Sequence, residues 1–134
     1  MPRRKLFRVG RSRTGLGLFA TTPIAKGMPI VEYKGRRLST REAHDRERRM
    51  GSKYMFELNG HWSIDGSSRR NLARYVNHAC RANAEFALMK SKLMLRACKA
   101  LASGDEITCD YGSDYFDLFI APTGCRCATC ATTR

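Results

Sequence analysis

Short apolar runs separated by turn residues dominate this sequence, and they limit it to a fold built mainly from short β-strands. Residues 54–58 (YMFEL) and 61–65 (HWSID) flank Asn59 and Gly60, and Asn-Gly is typical of the tightest hairpin turn. A second hairpin is predicted over residues 86–95, where apolar segments flank Lys-Ser-Lys. Applied along the whole chain, this pattern predicts about seven short strands.

One clear helix interrupts the strands. Ser39 and Glu42 form the first and last positions of a capping box, which predicts a helix that ends near Gly51. Its sequence, TREAHDRERRM, has almost no apolar face. We therefore expect a solvated surface helix, or a docking surface for something acidic. A short second helix is expected between residues 69 and 75.

The composition favours one cationic domain. A length of 134 residues suits a single domain, and 43% hydrophobic residues are enough for a core. The formal net charge is +13, and most of it lies in residues 1–70, which hold 17 basic and 6 acidic side chains. Nucleic acid is the first candidate partner and an anionic membrane surface the second. A cationic surface without a dedicated partner is the third interpretation.

Neither membrane insertion nor secretion is predicted. The uncharged stretch from residue 14 to residue 25 is much shorter than the roughly 20 residues that a membrane span needs. The basic start MPRRKLFR has no apolar run behind it, unlike a secretory signal. We therefore expect an intracellular protein.

Six cysteines favour metal binding over disulfides, because no secretory signal is predicted. Three of them lie within CRCATC at residues 125–130. Three thiolates are one fewer than a closed tetrahedral zinc site requires.

Four motifs, each weak alone, stand out when taken together. They are GLGLFA (15–20), ARYVNHAC (73–80), GDEITCDYG (104–112) and CRCATC (125–130). In this order and at these distances they resemble the SET-domain family of protein lysine methyltransferases, from about residue 8 to residue 130. The branch related to trithorax is most similar, since YMFEL and IVEYKG also resemble its segments. Three features depart from the family: there is no cysteine-rich pre-SET region, the tail spacing Cys-x-Cys-x2-Cys is short, and the N-terminal half is very basic.

The resemblance implies a fold and a division of the chain. It implies a mainly β fold with short helices, in which several small sheets surround a knot-like C-terminal crossing, followed by a zinc-binding post-SET tail. We accordingly expect a basic arm at 1–7, the SET domain at 8–117 and the tail at 118–134.

The resemblance also implies S-adenosyl-L-methionine as cofactor. Glycines remove side chains where backbone must approach a ligand, and an asparagine has donors and acceptors for polar groups of the cofactor. Taken alone, the Gly-x-Gly turn is equally typical of a simple strand entry, and a histidine of a satisfied core residue. The residues expected at the cofactor are Thr14, Gly15, Leu16, Gly17, Tyr54, Asn77, His78 and Tyr111.

The same resemblance assigns catalysis to Tyr111, which would orient the lysine amine and support the transferring methyl. Tyr54 would supply a second hydroxyl there. A free lysine has a pKa of about 10.4, and a dry channel beside a sulfonium would lower it. The alternatives are a half-buried tyrosine at a strand end for Tyr111 and a packing aromatic for Tyr54.

Cys80 would complete a closed, structural zinc site with the tail. Cys109, two residues before Tyr111, occupies the position that in the family is a product-specificity switch. A thiol there is small and a poor hydrogen-bond partner, so di- or trimethylation is expected; packing alone is the alternative. Cys98 is predicted to be a small buried hydrophobe. The predicted zinc ligands are Cys80, Cys125, Cys127 and Cys130.

The predicted function is therefore a protein-lysine N-methyltransferase acting on histone H3 or a similar basic protein. The alternative is a zinc-stabilised chromatin or nucleic-acid binding module with weak turnover. Basic side chains on the helix and at the N-terminus would contact DNA or a nucleosome. An acidic cluster would receive the basic substrate peptide, unless it only aids solubility. The cluster consists of Asp105, Glu106, Asp110, Asp114 and Asp117.

Overall fold

The computed structural model describes residues 5–13, 15–50, 54–58 and 61–110. Within these ranges the chain forms ten short strands, one α-helix and one 3₁₀ helix. The strands are β1 (Phe7–Ser12), β2 (Gly15–Ala20), β3 (Pro29–Glu32), β4 (Arg36–Ser39), β5 (Met55–Glu57), β6 (Trp62–Asp65), β7 (Asn77–His78), β8 (Ala84–Met89), β9 (Lys92–Ala97) and β10 (Glu106–Cys109). The helices are α1 (Thr40–Met50) and the 3₁₀ helix Leu72–Tyr75.

The larger sheet has the strand order β1-β2-β10-β8-β9-β3, and β7 also pairs with β10. Strands β8 and β9 form the predicted hairpin, which is confirmed. Its two turn residues, Lys90 and Ser91, have φ values of 50° and 68°, as a type I′ turn requires. Strand β10 lies centrally: it runs antiparallel to β2 and parallel to β7 and β8.

The smaller sheet has the order β4-β6-β5. Strands β5 and β6 pair from Met55 opposite Asp65 to Glu57 opposite Ser63, which confirms the predicted pairing of these two strands. The register differs from the predicted one: the Leu58 N–H donates to the Trp62 carbonyl oxygen at 2.9 Å, so three residues, 59–61, connect the strands where a two-residue Asn-Gly turn was expected. Residues 59 and 60 lie outside the described residues.

Helix α1 follows β4 directly, and its predicted start is confirmed. The Ser39 hydroxyl accepts a 3.1 Å hydrogen bond from the backbone N–H of Glu42, as an N-cap does. Ala43 is buried, whereas Arg41, Glu42 and most of the later side chains are exposed. The helix is therefore the expected surface helix, attached to the smaller sheet by a narrow contact.

Two adjoining cores hold the sheets together. The main core is formed by the larger sheet around Leu18, Leu95 and Ile107, which are all fully buried. The second core joins the two sheets through three aromatic rings: Phe56 of β5 lies 5.1 Å from Phe86 and 5.5 Å from Tyr33, centroid to centroid. Edge-to-face and tilted pairs of this kind are favourable beyond their buried area.

The prediction of a mainly β fold is confirmed, with differences in detail. Strands β1 (FRVGRS), β4 (RRLS) and β7 (NH) were not expected, because none of them has an apolar run. The helix expected over 69–75 is a single 3₁₀ turn. Cys98 is half-buried, not fully buried, and its thiol lies 3.7 Å from the Ala82 carbonyl oxygen. None of the described helices is long and apolar enough to cross a membrane.

The predicted division of the chain stays a prediction. Phe7 already packs in the main core as the first residue of β1. The knot-like crossing and the tail depend on residues 111–134, which lie outside the described residues.

Candidate active site

Strand β10 brings three of the four sequence motifs together. Its residue Ile107 pairs with Leu18 of the Gly-x-Gly strand, and Thr108 pairs with Asn77 of the Asn-His strand. Residues that are about 30 to 90 positions apart in sequence therefore lie on adjacent strands. Tyr111 follows this strand in the chain, and it lies outside the described residues, as do Thr14 and the tail cysteines.

A polar cluster around Glu106 ties these motifs to one another. The Glu106 carboxylate accepts hydrogen bonds from the Ser12 hydroxyl at 2.8 Å and from the Asn77 amide at 2.9 Å. The Asn77 amide also donates to the Leu16 carbonyl oxygen at 3.0 Å. Gly17 is needed here, because a Cβ atom on it would lie 2.6 Å from the Glu106 carboxylate and 2.9 Å from the Asn77 amide.

The Gly-x-Gly segment presents backbone to solvent beside this cluster. Gly15 has a φ of +116° with open space where a side chain would be, a conformation that favours glycine. Leu16 is 50% exposed although it is a large apolar residue. An accessible backbone beside an exposed leucine fits the predicted cofactor contact.

His78 lies in a partly enclosed position next to Cys80. Its side chain is 6% exposed, its Nδ1 is 3.8 Å from Asp110 Oδ1, and its Nε2 is 3.5 Å from the Cys80 thiol. Burial lowers the pKa of His78 below its usual value, and the Asp110 carboxylate opposes this only in part. The imidazole is therefore neutral near pH 7. The neighbouring Cys80 side chain is exposed.

Cys109 is enclosed in the main core, with 1% of its surface exposed. Burial, with a smaller contribution from Asp110, raises the pKa of its thiol to about 12. The thiol is therefore protonated and unreactive at neutral pH. The buried thiol is compatible with both the switch role and the packing role, so the switch stays a prediction.

Tyr54 precedes β5 and is anchored by its backbone. Its carbonyl oxygen accepts hydrogen bonds from the Tyr33 hydroxyl at 2.6 Å and from the Gly66 N–H at 2.9 Å. The Arg74 guanidinium lies 4.2 Å from the centre of the Tyr54 ring.

The sequence did not identify the roles of two residues that organise this site, Glu106 and Asn83. Glu106 was expected in a solvent-facing acidic cluster, but its carboxylate is partly buried in the hydrogen bonds above. Asn83 was not expected at all: its amide donates to the Glu106 carbonyl oxygen at 2.8 Å and accepts from the Thr108 N–H at 2.9 Å. A carboxylate inside the apolar strand EITC is the one signal that pointed to Glu106. Asp105 and Asp110 are exposed, whereas Asp114 and Asp117 lie outside the described residues.

The predicted docking arginines on α1 differ in their availability. Arg46 is paired with Asp65 at 2.8 Å, and Arg48 is paired with Asp45. Arg49 is exposed. In the part of the chain that the structure describes, no group of three or more histidine, cysteine or acidic side chains could hold a metal ion.

A mainly β domain in which the Gly-x-Gly strand and the Asn-His strand both pair with strand β10 is the arrangement expected of a SET domain. Residues 15–112 match the SET domain family, and the chain belongs to it. The predicted family and fold class are confirmed.

Curated relatives support this membership over most of the chain. The histone-lysine N-methyltransferase set-2 of Caenorhabditis elegans is 33% identical over 92% of this chain and 9% of its own length. Human histone-lysine N-methyltransferase SETD1A is 34% identical over 95% of this chain and 8% of its own length. This chain thus spans less than a tenth of these relatives.

Solved structures show the same fold. Polycomb repressive complex 2 of Chaetomium thermophilum in complex with H3K27me3 and H3K27M has a TM-score of 0.76 and 28% identity, over 92% of this chain and 16% of that one. The complex in an autoinhibited conformation bound to S-adenosylmethionine has a TM-score of 0.69 and 30% identity, over 82% of this chain and 15% of that one.

Proposed function

We propose that this chain is an S-adenosyl-L-methionine-dependent protein-lysine N-methyltransferase that acts on histone H3 or a similar basic protein. The observation that carries the proposal is the polar cluster in which Glu106 joins the Gly-x-Gly turn to Asn77. The relatives named above are histone-lysine methyltransferases, and one structural neighbour binds S-adenosylmethionine. These likenesses do not favour a binding module without turnover.

The residues present fit the cofactor. We assign its binding to the exposed Gly15 and Leu16 and the buried Gly17 beside them, to Asn77 and His78, and to Thr14 at the turn. The tight approach at Gly17 fixes the turn against Asn77, while the open space at Gly15 leaves backbone accessible. When bound, S-adenosyl-L-methionine supplies the methyl group as a sulfonium.

The chain's own part in the reaction is to position a neutral amine. We assign this to Tyr111, which directly follows Asp110, and to Tyr54 as a second hydroxyl. Since a free lysine amine has a pKa of about 10.4, it must lose its proton to water before transfer, and an apolar channel favours that loss. Positioning and a fitted electrostatic environment would then supply most of the rate.

Zinc would hold the tail near this site. Cys80 is exposed beside His78 and is the described member of the proposed four-thiolate set with Cys125, Cys127 and Cys130. Four thiolates leave no open position, so the ion would be structural. Because a metal of this kind couples to folding, tail order and metal occupancy should be linked.

The partners and location follow from the same reasoning. The relatives named above are histone-lysine methyltransferases, which supports a basic protein substrate. Their names also support a place in the nucleus on chromatin if this protein is eukaryotic or is delivered to a host; a bacterial protein would act in the cytoplasm. The excess of basic side chains and the exposed Arg49 support a salt-sensitive contact with DNA or a nucleosome. The proposed division is an arm at 1–7, the SET domain at 8–117 and the tail at 118–134.

Two measurements on the full chain test this proposal. Calorimetric titration should show S-adenosyl-L-methionine binding at one site per chain, and mass spectrometry should show 14 Da increments on histone H3, each corresponding to one added methyl group, once enzyme and cofactor are both present. Asn77→Ala should weaken cofactor binding, whereas Glu85→Ala, on the β8–β9 hairpin, should not. Cofactor binding without methyl transfer to histones or other basic proteins would refute the enzymatic proposal.

A further inference from the structure

The backbone of Tyr54 is fixed independently of its ring. Gly66, which donates to the Tyr54 carbonyl oxygen, lies so close to Tyr33 that a Cβ atom on it would be 2.4 Å from that ring. Asn71 is fully buried, and its amide donates to the Gly66 carbonyl oxygen at 3.0 Å. These contacts fix the position of the Tyr54 main chain. They do not fix the side-chain torsion angles that orient the Tyr54 ring.

The Arg74 side chain stacks on the Tyr54 ring. Its guanidinium lies 4.2 Å from the centre of the Tyr54 ring and 5.4 Å from that of Tyr75, and its Nη1 donates to the Ser67 carbonyl oxygen at 2.6 Å. Its Nε is buried and makes no hydrogen bond to any part of the chain that the structure describes. Buried donors are normally paired. The Arg74 guanidinium is nevertheless held over the Tyr54 ring, although its Nε–H has no acceptor in the described part of the chain.

Arg74 also connects Tyr54 to the predicted cofactor residues. It belongs to the 3₁₀ helix Leu72–Tyr75, whose neighbour Val76 is buried and leads directly into Asn77. Its own N–H donates to the Asn71 carbonyl oxygen at 3.1 Å. A single rigid segment therefore carries both the group that stacks on Tyr54 and the side chain that joins the Glu106 cluster.

We infer that Arg74 is a positioning residue that orients the Tyr54 ring for methyl transfer and does not itself contact the substrate. This inference rests on the proposed function, since the orientation matters only if the Tyr54 hydroxyl acts at the transferred methyl. A cation over a tyrosine face restrains the ring plane, and displacement of a catalytic group by about 1 Å can cost up to roughly 100-fold in rate.

A double-mutant cycle with Arg74→Met and Tyr54→Phe tests the role. Arg74→Met should lower kcat about tenfold on a histone H3 peptide, because the ring loses its orientation. It should leave cofactor affinity unchanged. In the Tyr54→Phe background the same change should have little further effect, because no hydroxyl remains to be oriented. Arg74→Lys, which keeps the charge without the planar face, should be intermediate.

Arg96→Met is the matched control. It removes an arginine that pairs with Glu85 on the β8–β9 hairpin, and it should leave kcat unchanged. Thermal unfolding shows whether each variant folds, and Arg74→Lys carries the cycle if Arg74→Met does not.

The outcomes of these experiments separate this inference from the proposed function. Losses of kcat that multiply in the double variant would overturn the positioning role, as would an equal loss with Arg96→Met. A wild type without cofactor binding or methyl transfer would instead refute the proposed function. In that case NMR still tests the contact: the Arg74 side-chain resonances should be shifted upfield by the Tyr54 ring and move back in Tyr54→Leu. Unshifted resonances in the wild type would overturn the inference.

Discussion

Replacement of Glu106 by glutamine should loosen the join between the Gly-x-Gly turn and the Asn-His strand. The carboxylate accepts from Ser12 and from Asn77 in a partly buried position. Hydrogen bonds to a charged acceptor contribute roughly 1.5–3 kcal/mol each. Glutamine keeps one acceptor oxygen but replaces the other with an NH₂ group and removes the charge. We expect a loss of about 2 kcal/mol in the free energy of unfolding and a fall in Tm of about 8 °C.

The same change should weaken cofactor binding, because Asn77 and the Leu16 carbonyl would no longer be held in place. We expect about tenfold in Kd, or roughly 1.4 kcal/mol, measured by calorimetry below the unfolding temperature. Glu85→Gln is the matched control, since it removes an exposed carboxylate paired with Arg96, and such pairs contribute about 0–1 kcal/mol. If Glu106→Gln has the Tm and the cofactor Kd of the control, the cluster does not organise the site.

Three further predictions concern the residues beyond the described part of the chain and their neighbours. Tyr111→Phe should lower turnover at least about 100-fold, roughly 2.7 kcal/mol in barrier, with cofactor affinity little changed; near-normal turnover would remove Tyr111 from catalysis. Protein prepared without chelator should contain about one zinc ion per chain, and Cys127→Ser should lose most of it; metal-free wild type would contradict the four-thiolate site. Wild type should form di- or trimethyl-lysine in long reactions, and Cys109→Tyr should stop earlier by mass spectrometry, because a ring replaces the small thiol; identical products would leave Cys109 a packing residue only.

Local sequence signals predicted the local structure well. The hairpins β5–β6 and β8–β9 and the start of α1 depend on neighbouring residues, such as the Ser39 cap and the turn at Lys90 and Ser91. Strand β7 could not be predicted in this way, because its two residues become a strand only by pairing with β10.

The residues of the candidate site likewise fall into those that the sequence motifs revealed and those whose role only the fold showed. The motifs that contain Gly17 and Asn77 were visible in the sequence, and they were sufficient to predict the SET-domain family. Their junction was not visible, because Glu106 is 29 residues from Asn77 and 94 from Ser12 in the chain. An acidic side chain has no sequence signal for such distant partners, so its position was interpreted from neighbouring charges alone.

The stacking of Arg74 on Tyr54 has the same origin. In the sequence, Arg74 is one of 25 basic residues, and excess charge is informative about partners but not about packing. Only the tertiary fold, which brings the 3₁₀ helix against the start of β5, buries the Nε atom of Arg74 and places its guanidinium over an aromatic ring. Residue types and local spacing thus determined the family and the elements, whereas long-range contacts decided which polar groups hold the site together, because their partners are set by folding and not by proximity in the chain.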